Sequence, residues 1–169
     1  MDNEMPKRKS TRKQNFDYNK SGAYFITICT ENRGAILSRI VGTGVLDGPR
    51  VELMPYGEIA DKYIKQLNDF YENIDVVECV IMPNHIHIML LISDNGPSRT
   101  PVPTIQNSIV SRFISTFKRF CNKECGHNIW QYRSNDHIIR NYEDYREHLQ
   151  YIDLTLPVGE RIFYIWNKS

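Results

Sequence analysis

From Ile74 to Ile92 the chain carries two apolar runs rich in β-branched residues, Ile74–Met82 and His85–Ile92, broken only by Pro83 and Asn84. Proline has no N–H to give to a central ladder, so it marks an interruption, and each run reads as a strand. Side chains alternate between the two faces of a strand. Ile86, Ile88, Leu90 and Ile92 therefore share one face and read as core. His85 and His87 share the other, about 7 Å apart along the strand. A fold for this chain must bury one side of that strand and leave two imidazoles together on the other.

The remaining elements follow from residue pattern. Ala23–Thr30 is β-branched and aromatic and reads as another buried strand. Glycines 34, 42, 44 and 48 with Pro49 break residues 34–54 into a hairpin-like excursion, with arms Ala35–Val41 and Arg50–Met54. Ile59, Tyr63, Ile64, Leu67, Phe70 and Tyr71 recur at helical spacing and predict a helix over Tyr56–Tyr71. Residues 93–103, with Gly96 and three prolines, predict a loop. A second helix is expected over Thr104–Asn122, extended chain over Asn128–Arg140, and a third helix over Asn141–Leu154. The order strand, helix, strand, strand, helix, strand is the split βαβ arrangement. It predicts an α+β, ferredoxin-like fold, an antiparallel sheet with helices packed on one face, plus a C-terminal tyrosine-bearing helix.

Composition narrows the class. At 169 residues, 41% hydrophobic and 24% charged, the chain fits one domain with a real core and excludes wholesale disorder. No apolar run approaches the ~20 residues of a membrane helix, and the N-terminus lacks a secretory pattern. A cytoplasmic protein without a membrane partner is expected. Cys29, Cys79, Cys121 and Cys125 read as reduced thiols. Cys121 and Cys125 with His127 fall short of a four-ligand zinc site. The net charge of +1 says nothing about nucleic acid, but residues 7–13 carry five positive charges and no acid. That run is either a solvated tail or an arm that neutralises phosphates.

Two features carry chemistry. Paired imidazoles on one strand face suit a divalent metal when both are neutral. A half-exposed strand with two incidental histidines has the same pattern, and His127, His137 and His148 lie in no obvious ligand motif. On the third helix, Tyr142, Tyr145, Leu149, Ile152 and Leu156 form a complete apolar stripe. Tyr151 stands opposite, on the side of Asp144, Glu147, His148 and Thr155. It is either an ordinary surface tyrosine or a nucleophile toward phosphorus.

Taken in order, these segments resemble a known family. Phe16-Asp17-Tyr18 and Gly22-Ala23-Tyr24-Phe25-Ile26-Thr27-Ile28 follow the basic arm. Val80-Ile81-Met82-Pro83-Asn84-His85-Ile86-His87, Ile129-Trp130-Gln131, Asp136-His137-Ile138-Ile139-Arg140 and Tyr142-Glu143-Asp144-Tyr145 leading to Gln150-Tyr151-Ile152 come after. The pattern, over roughly residues 7–154, resembles the REP-associated tyrosine transposases of the single-tyrosine HUH superfamily. The resemblance implies that His85 and His87 hold a divalent metal, Mg2+ or Mn2+, and that Tyr151 is the nucleophile. It implies cleavage and rejoining of single-stranded DNA beside hairpin-forming palindromic repeats, through a 5′-phosphotyrosine link with release of a 3′-hydroxyl. Lys7, Arg8, Lys9, Arg12, Lys13, Arg133 and Arg140 are the expected DNA contacts, and Tyr132 a candidate stacking platform. Lys118, Arg119 and Lys123 are further phosphate-contact candidates. Residues 1–20 would be a basic arm, 21–157 the single-tyrosine transposase domain and 158–169 a tail. A bacterial, nucleoid-associated protein, monomeric or homodimeric, is implied. One position departs from the family: a polar Asn or Gln completes the metal site four residues after the tyrosine, where this chain has Thr155. A catalytically weakened hairpin-binding protein on the same scaffold, and an unrelated metallohydrolase, stay open as alternatives.

Overall fold

The computed structural model describes residues 20–42, 50–93 and 108–155. The elements run β1 (Gly22–Cys29), β2 (Ser38–Val41), β3 (Arg50–Leu53), α1 (Pro55–Phe70), β4 (Ile74–Met82), β5 (His85–Ile92), α2 (Ile109–Cys125), β6 (Asn135–Ile138) and α3 (Tyr142–Thr155). The expected basic arm, the predicted loop over 93–103 beyond Ser93, the first turn expected for the second helix at 104–107, Leu156 and the tail lie outside the described residues.

β1, β4, β5 and β6 form one antiparallel sheet in the order β4-β5-β1-β6. Numbered among themselves, these four strands stand 2-3-1-4, with α1 and α2 as the crossovers, which is the ferredoxin-like topology expected. β2 and β3 pair separately, as the glycine-bounded excursion predicts. β4 and β5 meet through Pro83–Asn84, whose carbonyls accept N–H bonds from Leu37 and Thr30 at 3.0 Å each.

The sheet separates two cores of unequal size. Tyr24, Ile26 and Ile28 from β1, with Ile86, Ile88 and Leu90 from β5, point to the α1/α2 side, where Ile64, Leu67, Phe113 and Phe117 meet them. The other face carries a small cluster of Phe25, Val80, Met89 and Ile152, flanked by Tyr145 and Leu149. α3 covers that second face. Ile152 is 1% exposed, so the stripe expected on α3 is core at its C-terminal end. It is not core at the start: Tyr142, expected to be buried, is 73% exposed, because the small cluster does not reach the first residue of the helix.

Two details set the frame. Gly57, in the first turn of α1, lies against Leu37, and a Cβ there would stand 2.0 Å from the Leu37 carbonyl oxygen. At the other end of the helix, the Asn68 side-chain oxygen accepts the Val76 N–H at 2.7 Å, beside a bulge between Val76 and Glu78. Ser108 caps the start of α2, its hydroxyl accepting the Ser111 N–H at 3.2 Å, and the helix runs past the expected Asn122 to Cys125, where Gly126 caps it at φ 77°. Among the described residues no helix is long and apolar enough to cross a membrane.

Candidate metal and tyrosine centre

The two histidines of β5 meet as strand alternation requires. Their Nε2 atoms are 3.1 Å apart. Two ligands at right angles about a cation, each ~2.1 Å from it, stand ~3.0 Å apart, so the pair has the spacing of a chelate. The other ring nitrogens are held. His85 Nδ1 is 2.7 Å from Asn84 Oδ1, and His87 Nδ1 is 2.9 Å from Thr27 Oγ1. The orientation of Asn84 makes Oδ1 the acceptor, so His85 carries its proton on Nδ1 and offers a lone pair at Nε2. Thr27 can accept from His87 in the same way, as outer partners of metal-bound histidines commonly do. This Thr27 contact arises from register, since Thr27 pairs with His87 across β1 and β5.

Burial keeps both rings neutral. Desolvation pushes the His87 pKa down to about 4, with the His85 and His148 charges adding to the effect. Desolvation and then Arg33 lower that of His85. Neutral imidazoles with converging lone pairs are the form a metal binds, so the donor set fits a divalent cation.

α3 brings Tyr151 to the same place. A cleft of about 370 Å³ is lined by Phe25, Thr27, His87, Glu147, His148 and Tyr151. The Tyr151 ring stands edge-on to His87 with centroids 5.4 Å apart, and to Phe25 at 6.4 Å. Phe25 also stacks on His87 at 5.0 Å. Tyr151 is 53% exposed, turned toward the cleft instead of sealed in the small core.

The other expected site residues divide into three groups. Thr155 is the last residue of α3, but its side chain, like Lys7, Arg8, Lys9, Arg12 and Lys13, lies outside the described residues. Arg133 and Arg140 are exposed on the segments either side of β6, and the Arg140 N–H donates to Asp144. Tyr132 is 95% exposed. Trp130 packs in the large core against Phe117. Lys118 is no free phosphate contact: its ammonium donates to the carbonyls of Gln131 and Tyr132, and burial lowers its pKa to about 8. Cys29, Cys79, Cys121 and Cys125 are free thiols.

Four groups at or beside this centre carry no motif of their own in the sequence. Thr27 and Asn84 gave no signal, because their role depends on pairing. His137 and His148, read as lying in no ligand motif, converge on Asp144. The spacing of Asp144 and His148, one turn apart on a helix, was the available clue.

No family model matches the chain. A Haemophilus influenzae protein without an assigned role is 27% identical over 160 residues, covering 86% of each chain. An Escherichia coli protein named REP-associated tyrosine transposase is 29% identical over 136 residues, 80% of this chain and 66% of its own length. This chain thus spans about two thirds of that relative. A solved structure of a REP-associated tyrosine transposase bound to a REP hairpin matches with a TM-score of 0.60 at 23% identity, over 85% of this chain and 72% of the other, and shows that the fold is shared. The chain is an α+β protein with relatives in a transposase family. In particular, it is similar in sequence to a protein named REP-associated tyrosine transposase and shares the fold of another of that name.

Proposed function

We propose that this protein is a metal-dependent single-strand DNA endonuclease and strand-transferase that acts beside hairpin-forming palindromic repeats. The observation that carries the reading is the placement of Tyr151 in one cleft with His87, whose Nε2 is 3.1 Å from that of His85. Mg2+ or Mn2+ bound by His85 and His87, with Thr155 as the expected third ligand, would supply charge neutralisation at the scissile phosphate.

The chain's own groups do the rest. The Tyr151 phenolic oxygen attacks phosphorus, a 5′-phosphotyrosine bond forms, and the bond from phosphorus to the 3′-oxygen breaks. The phenolic proton leaves the tyrosine, and the departing strand ends as a 3′-hydroxyl. Attack of a 3′-hydroxyl on the phosphotyrosine reverses the step and joins strands without an outside energy source. Thr27 and Asn84 hold the two imidazoles in the tautomer that presents Nε2. Phe25 fixes the ring plane of His87. Arg133, Arg140 and the run Lys7–Lys13 are assigned to the DNA backbone, and Tyr132 to an unpaired base. The relative named for its bound REP hairpin favours hairpin DNA as the partner of this chain too. A monomer or a homodimer of this chain would carry out the reaction.

The test uses a labelled single-stranded oligonucleotide containing an imperfect palindrome, with Mn2+ or Mg2+. A covalent protein–DNA adduct that survives denaturation is expected from the native chain and is absent from Tyr151→Phe. Hairpin binding with no adduct from the native chain would leave a binding protein and remove the enzyme. An adduct of undiminished yield in Tyr151→Phe would remove Tyr151 as nucleophile.

A further inference from the structure

We infer that His137, Asp144 and His148 form a second cation site, separate from the His85–His87 pair, that takes a divalent first-row transition metal. The inference does not rest on the DNA reaction proposed above, although His148 also lines the cleft that holds Tyr151. His137 comes from β6, and Asp144 and His148 stand four apart on one side of α3. Their potential ligand atoms all lie within 4.8 Å of one another. Asp144 Oδ1 is 2.9 Å from His137 Nε2 and 3.1 Å from His148 Nδ1. Ligands of such a cation stand ~3.0–3.4 Å apart, so two of the three separations are already ligand-like.

The carboxylate is built in place. Asp144 Oδ2 accepts the Arg140 N–H at 3.0 Å, and the Asp144 N–H donates to Asn141 Oδ1 at 2.8 Å. Burial alone would raise the Asp144 pKa, but the Arg140 and His137 hydrogen bonds and the two nearby histidines outweigh it and hold the carboxyl ionised. Phe25 backs the His148 ring, with centroids 4.6 Å apart. Without a cation the imidazoles stack at 4.5 Å, His137 hydrogen-bonded to the Asp144 carboxylate and His148 Nδ1 to the Asp144 main-chain carbonyl at 2.9 Å. Binding requires the rings to tilt from their 16° interplanar angle and each to turn a lone pair inward. The His137 side chain is 40% exposed and that of His148 23%, so the ring pair has an open side for entry. Two imidazoles and one carboxylate suit zinc, manganese(II) or iron(II), whereas magnesium prefers oxygen and keeps its water. The ion would tie β6 to the first turns of α3, one turn before Tyr151.

The experiment is an equilibrium titration with cobalt(II), read by its visible absorption, on untagged chain carrying His85→Ala and His87→Ala. Folding of each variant is checked by circular dichroism. One equivalent of cobalt is expected to bind, and to be lost on adding His148→Gln or His137→Gln. Asp144→Asn, which can still accept the Arg140 N–H, is expected to weaken binding by more than about tenfold. Native chain, run in parallel, is expected to take one equivalent more than the same chain with His148→Gln alone. Failure of the His85→Ala, His87→Ala chain to bind cobalt, binding that survives His148→Gln, or a thiolate charge-transfer band would overturn the assignment. None of these outcomes bears on whether Tyr151 forms an adduct.

Discussion

At His85 and His87 the chemistry lies in which nitrogen faces which neighbour. A strand pattern alone says that the two rings share a face, and this much was legible. It says nothing of the opposite nitrogens, because Thr27 is sixty residues away in sequence and becomes a neighbour of His87 only through the β1–β5 register. Thr27→Val removes that acceptor at nearly constant volume. Affinity of the pair for Mn2+, measured by calorimetry, is expected to fall roughly 10–100-fold with no change of fold. Acid exposes the same site. The folded His87 value of about 4 lies below the ~6.5 of an unfolded histidine, so the unfolded chain takes up the proton first as pH falls. The stability this group contributes is present above pH ~6.5 and is lost as pH drops toward 4, to an upper bound of about 3 kcal/mol. Thermal melting of metal-free protein across that window is expected to fall more steeply for native chain than for His87→Asn.

Periodicity located the elements well where a proline marks an end: Pro55 opens α1 and Pro83 parts β4 from β5, whereas the second helix, expected to stop at Asn122, runs on to its cap at Gly126. It failed where burial depends on what a partner covers. Tyr142 lies on the apolar stripe of α3, yet the sheet face ends before reaching it, and no periodic pattern contains that distance. The close approach at Gly57 was equally invisible, since a single glycine in a helix reads only as a weak helix former. Here it admits the Leu37 carbonyl. Gly57→Ala places a methyl against rigid backbone and is expected to cost roughly 3 kcal/mol, read by chemical denaturation, despite the better helix propensity of alanine.

Across the molecule the topology was legible because strand order follows from the split βαβ pattern, and most blocks behind the family resemblance fall in β1, β4, β5, β6 and α3. The unequal division of the interior was not. One face of the sheet holds the large core with α1 and α2, and on the other Ile152 of α3 packs with three buried sheet residues, Phe25, Val80 and Met89. Amide hydrogen exchange is expected to be at least about tenfold faster along α3 than along α1, because local opening follows the apolar contact each helix makes. Equal protection in the two helices would refute that ordering. A helix so lightly moored can lift from the sheet while β1 and β5 stay zipped below it. Substitutions at Val80, Met89 or Ile152 would then blunt whatever Tyr151 does long before they lower the melting point, and a thermal screen would pass variants that have already lost their tyrosine's aim.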